Sequence, residues 1–181
     1  FKSWTINDVF RHLHFWNKAV MVATEGDEAF TVFFEDVGAH MMKGGSLPEY
    51  EKAYLDGLSG GALREAWASL VDETADAYAA LDPSSRVPWA GPSMSARSAI
   101  SARQMETWAH GQEVFDVLGA DREEHDRIRN IVVLGINTFG WTFKVRGETP
   151  PEPMPFLSLV SPTGEPWTYG DSQESNFIQG D

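Results

Sequence analysis

The chain has 181 residues, 42% of them hydrophobic and 12% aromatic, enough to bury a core unaided and too apolar for disorder. It contains no cysteine, which excludes disulfides, thiolate metal sites and a cysteine nucleophile, so any metal must be held by His, Asp or Glu. A formal net charge of -13 with no Lys/Arg cluster argues against nucleic acid, and no apolar run reaches the ~20 residues of a membrane span; the protein is expected in the reducing cytoplasm.

Trp4-Thr5-Ile6-Asn7-Asp8 opens a first helix, with Thr5 or Asn7 as cap and Asp8 near the positive end of the helix dipole. Val9, Leu13, Trp16 and Val20 follow at helical spacing, within an arc of about 60°. His12 sits at the edge of that stripe and His14 points away from it. From Glu25 to Leu58 the texture is mixed, with a helix around Glu28 to Met42 and a breaker at Gly44-Gly45-Ser46-Leu47-Pro48.

A second long helix runs roughly from Ala62 to Leu81 and ends in the Asp82-Pro83-Ser84-Ser85 turn. After a Pro/Gly loop, Ser93 or Ser95 caps a third helix that runs to about Leu118 and closes on Gly119. A fourth spans about Asp121 to Val145. Beyond Gly147, Phe156 to Val160 reads as a strand, Pro162 to Glu165 as a turn into Trp167–Tyr169, and Asn176 to Ile178 as a further short strand. The expected architecture is mainly α: an antiparallel four-helix bundle over 1–147, with a small C-terminal β element over 148–181 that looks truncated.

In the third helix Glu106 and His110 stand four residues apart and share a face, as two ligands of one ion would. Arg103, Glu106, His110 and Glu113 also fit an ordinary solvated stripe with local charge pairs. Trp108 and Phe115 lie opposite, with Met105, Ala109, Val114 and Leu118 on the flanks. No face is plainly reserved for water, so the polar stripe is expected to face a cavity.

Trp4-Thr5, then Asp8-Val9, then His12-Leu13, followed later by Glu106-Thr107-Trp108-Ala109-His110 and Glu113, resembles the DinB/YfiT superfamily. The closer likeness is to the branch with the metal-binding N-terminal domain of mycothiol-dependent maleylpyruvate isomerase. The resemblance covers most of the chain and implies His12, Glu106 and His110 as ligands of one divalent ion. Where the family more often carries Asp, this chain has Glu113, which either orients His110 or a metal-bound water or is a surface residue. Two imidazoles and a carboxylate suit zinc first and nickel second, and three protein ligands leave a position open.

By analogy with those relatives, the open metal would bind a low-molecular-weight thiol as thiolate and present it to a small electrophilic substrate. The implied activity is isomerase or S-transferase; a non-catalytic metal- or small-ligand-binding module is the alternative, and a homodimer stays open. Arg103 either pairs with Glu106 within its helix or meets an anionic substrate. Trp89, Met94 and Trp141, with Gly135 and Gly140, either wall a pocket beside the ion or are plain core packing. His40 and His125, near apparent helix ends, offer no convincing fourth ligand.

Overall fold

The computed structural model describes residues 3–181, which fall into two compact units divided at Asp121 and Arg122. The first unit holds α1 (Ile6–Ala23), α2 (Asp27–Met42), α3 (Leu47–Tyr54), α4 (Gly60–Ala79), the two-residue strands β1 (Arg86–Val87) and β2 (Met94–Ser95), and α5 (Ala96–Leu118). The second holds a 3-10 turn (Asp126–Ile128), α6 (Arg129–Lys144), β3 (Phe156–Val160), β4 (Pro166–Tyr169) and β5 (Phe177–Gly180). The protein is thus mainly helical with a small C-terminal sheet. Among the described residues no helix is long and apolar enough to cross a membrane.

Helix α1 is the axis of the first unit and packs against α2, α3, α4 and α5. Val9, Leu13 and Val20 of the expected stripe are buried, but so are Phe15, Ala19, His14 and Asn17, because a helix with neighbours on several sides has little face left for water. His14, expected to point away, is 5% exposed. Burial, with Lys18 nearby, holds its imidazole below the ordinary value, so it is a neutral core residue. Phe15 is fully buried between the rings of Trp16, Phe33, Tyr50 and Tyr54.

The N-terminus of α1 is a complete capping box. The Thr5 hydroxyl accepts from the Asp8 amide at 3.2 Å, and the Asp8 carboxylate accepts from the Thr5 amide at 2.9 Å. Burial pushes the Asp8 carboxyl up, but the Thr5 donors and Arg11 outweigh it and hold it below its usual 3.8. A depressed carboxylate contributes stability above its unfolded value and loses it as pH falls through the folded one, so this cap weakens below about pH 4. Thr5→Ala is expected to cost about 1 kcal/mol, read as a lower urea midpoint with unchanged slope; a midpoint equal to the parent's would dismiss the cap as a stabilising element.

Sequence and structure part company at α3. Gly44, at φ +85°, does end α2, but Pro48 is the second residue of a helix rather than part of a breaker. Ser46 and Glu49 form a second capping box around it. The fourth expected helix also starts late: residues 121–125 are irregular and α6 begins at Arg129. By its contacts α6 belongs to the second unit, whereas the change of texture in the sequence falls at Gly147.

In the second unit β3 is the middle strand, antiparallel to β4 and parallel to β5, with Leu159 opposite Trp167 and Leu157 opposite Ile178. Trp167 is buried, the Arg129 guanidinium lies 5.8 Å from its ring, and Arg129 Nε donates to the Tyr169 hydroxyl at 2.9 Å. Asp126 accepts from both the amide and the hydroxyl of Thr163.

Candidate metal centre

The inward stripe of α5 changes character along its length. Ala96 and Ala99 are buried in the core cluster with Ala19 and Val20 of α1; Arg103 and His110 follow on the same face, also buried. Helix α1 answers in reverse order, with Asn17 meeting Arg103 and His12 meeting Glu106 and His110. The polar stripe of α5 therefore faces another helix, and the reading of it as a solvated surface does not apply.

His12, Glu106 and His110 offer one ligand atom each, all within 4.8 Å of one another. Glu106 Oε2 lies 3.4 Å from His110 Nε2 and 3.8 Å from His12 Nε2. Ligands at zinc-like bond lengths of about 2.0–2.1 Å stand roughly 3.3 Å apart around a tetrahedral ion, so these separations suit donors to a shared ion better than a direct hydrogen bond. The two imidazoles meet edge to face, centroids 5.1 Å apart, and both present Nε2 to the carboxylate.

Each imidazole has a carboxylate behind it. His12 Nδ1 is 2.8 Å from Glu51 Oε1, and His110 Nδ1 is 3.3 Å from Glu113 Oε1. Carboxylates at Nδ1 fix the ring and make Nε2 a better donor to a metal, so the chemistry of the group fits a divalent ion. Glu113 therefore lies against His110. Glu51, from α3, was missed by sequence reasoning; the Ser46-Leu47-Pro48-Glu49 capping signature could have revealed its helix, though nothing in the sequence pointed from that helix to His12.

The electrostatics agree. Burial pulls the His12 imidazole down, but the neighbouring Glu106 and Glu51 carboxylates outweigh it and raise its pKa. The same His12 contact holds the Glu106 carboxyl below its usual range against the effect of burial, assisted by the charges of Arg103, His110 and His12. The pocket thus favours positive charge between its donors, whether a proton or a metal ion. Trp4 closes one side, its ring stacked on His110 at 5.6 Å and tilted against His12 at 5.3 Å. Glu106 keeps 32% of its side chain exposed, which opens the group to solvent.

Arg103 is turned toward α1. It is 4% exposed, and its Nε donates to Asn17 Oδ1 at 3.0 Å and Nη2 to the Leu13 carbonyl at 3.4 Å, tying α5 to α1. Burial lowers its pKa to about 10 against the raising charges of Glu106 and Glu51, so it stays cationic at neutral pH. Trp89 and Met94 pack against the core cluster; Trp89 touches Trp16, whose ring edge meets His12. Trp89 thus stands one ring behind His12. Trp141 is on α6 in the second unit, 47% exposed, and Gly135 lines an apolar cleft between α6 and the sheet there. His40 is bonded to the Ser46 carbonyl, and His125 lies in the second unit.

Residues 1–115 match the family described as the mycothiol maleylpyruvate isomerase N-terminal domain. Uncharacterized proteins from two strains of Mycobacterium tuberculosis are each 32% identical to the chain over 178 residues, which is 98% of this chain and 68% of theirs. No solved structure matches.

Proposed function

Because the chain belongs to the mycothiol maleylpyruvate isomerase N-terminal domain family, we propose that it is a metal-dependent protein that uses a low-molecular-weight thiol to isomerise, or to transfer sulfur to, a small electrophilic substrate. The observation that carries this reading is the convergence of two imidazole Nε2 atoms and one carboxylate oxygen from two helices, each imidazole backed by a carboxylate.

His12, Glu106 and His110 would hold the ion, zinc by preference and nickel as second choice. When bound, the ion supplies Lewis acidity that favours the thiolate form of a thiol at neutral pH. The chain has no cysteine, so the sulfur nucleophile must come from outside. Three protein donors leave room for it. Glu113 and Glu51 hold the two imidazoles, Trp4 shields one flank, and the exposed edge of Glu106 marks the approach for thiol and substrate. The helices α1, α2, α4 and α5, which share the core cluster, are the natural candidates for a four-helix bundle of the DinB/YfiT type.

The test is spectroscopic. Cobalt(II) is loaded in place of zinc and a small thiol such as mycothiol is added. A new sulfur-to-metal charge-transfer band, followed by turnover of a maleylpyruvate-like electrophile, is the expected result. A band without turnover would leave a binding module, and no band would contradict the thiol reading.

A further inference from the structure

Among the described residues Glu51 is the one buried acid, 2% exposed and one of the largest fully buried side chains of the protein. A carboxylate in that position costs stability unless something compensates for its lost hydration. Its neighbours on α3, Tyr50 and Tyr54, pack on Phe15, and an apolar residue at 51 would be the ordinary choice for such a core. Two features account for a charge here: the 2.8 Å hydrogen bond with His12 Nδ1 and the positive charge of the buried Arg103 guanidinium.

We propose that Glu51 is a positioning residue of the metal centre: it accepts a hydrogen bond from Nδ1–H of His12, leaves the Nε2 lone pair facing Glu106 and His110, and ties α3 to the site. The distances support this tautomer. Nδ1 is at hydrogen-bond length from Glu51, whereas Nε2 is 3.8 Å from Glu106, too far for a hydrogen bond. Glu113 stands 3.3 Å behind His110 at its own Nδ1, so each imidazole has a carboxylate behind it, one from α3 and one from α5. A helix outside the α1–α5 pair thereby becomes part of the metal centre, and loosening α3 should loosen the ion.

The inference rests on the proposed metal-binding function, so the experiment separates the two. Zinc affinity is measured by competition with a chromophoric chelator for the parent, Glu51→Gln and Glu51→Leu. The tautomer of His12 is read by long-range proton–nitrogen NMR on the metal-free proteins at a pH where the rings are neutral. Glu51→Gln retains an acceptor without the charge and is expected to weaken zinc binding about 10-fold; Glu51→Leu, which loses both, about 100-fold.

The metal-free Leu variant should stay folded by helical circular dichroism but melt below the parent, since the buried Arg103 guanidinium loses a compensating charge and His12 Nδ1 its acceptor. Its His12 should lose the Nδ1–H tautomer that the parent and the Gln variant show. Parent-like zinc affinity in both variants, or an unchanged tautomer in Glu51→Leu, would overturn the role given to Glu51. A parent that binds no zinc would sink the functional reading alone, and the tautomer would then decide on Glu51.

Discussion

Metal content is expected to fall from near one ion per chain to near zero in His110→Ala and in His12→Ala, with helical circular dichroism retained in both. Each variant removes one of two imidazole donors from a group of three and leaves a pair that cannot close around an ion. Since removing a supporting carboxylate already costs about 10–100-fold in affinity, removing a donor should cost more than that. The parent should also lose stability on chelation, about 2.7 kcal/mol if it was assayed at 100 times its dissociation constant, and the variants should not respond. His40→Ala is the matched control: His40 is bonded to the Ser46 carbonyl and is not one of the three donors, so its metal content should equal the parent's. Stoichiometric metal in His110→Ala would mean that the ion sits elsewhere.

The second large effect is on stability. Arg103→Met should destabilise the fold by roughly 2–3 kcal/mol, because Asn17 Oδ1 loses its donor in a buried setting and the Leu13 carbonyl loses a second one. For a chain of this size each kcal/mol lowers the melting temperature by about 2–4 °C. Arg103→Lys should recover only part of the loss, since an ammonium cannot reproduce the guanidinium fork across α1. Asn17→Ala combined with Arg103→Met should cost less than the sum of the two, as the same contact is removed once. Metal content should survive in Arg103→Met, because the guanidinium touches no donor atom. A denaturation midpoint equal to the parent's would contradict the tie between α5 and α1.

Much of this was legible in the residues, for identifiable reasons. The Thr5 cap, the Ser95 cap and the Gly119 stop bound α1 and α5 through local chemistry alone. The i, i+4 spacing of Glu106 and His110 fixed their common face whatever the partner helix. The partner helix itself was not readable: whether the stripe met water or α1 depended on tertiary packing, and only family resemblance pointed to His12. The offset of Arg103 from Glu106 allows an intrahelical pair, but the side-chain amide and the carbonyl it meets come from 86 and 90 residues away, which local spacing does not encode.

His14 misled in a different way. A helical wheel assigns one inward face, and α1 has neighbours on four elements. The largest omission, Glu51, came from reading Pro48 as an end when it stands in the first turn of a helix. With that helix lost, the acid behind His12 was lost with it. In the second unit the strands were found from β-branched and aromatic runs, but the parallel pairing of β5 with β3 is a long-range choice that periodicity does not encode.

The central claim is that His12, Glu106 and His110 hold one divalent ion. It is tested most directly by elemental analysis of the protein purified without a histidine tag, alongside Glu106→Ala and the two histidine variants. Close to one ion per chain, predominantly zinc, in the parent and none in the three folded variants is the predicted result. No stoichiometric metal in the parent, even after reconstitution with zinc or nickel, would contradict the account.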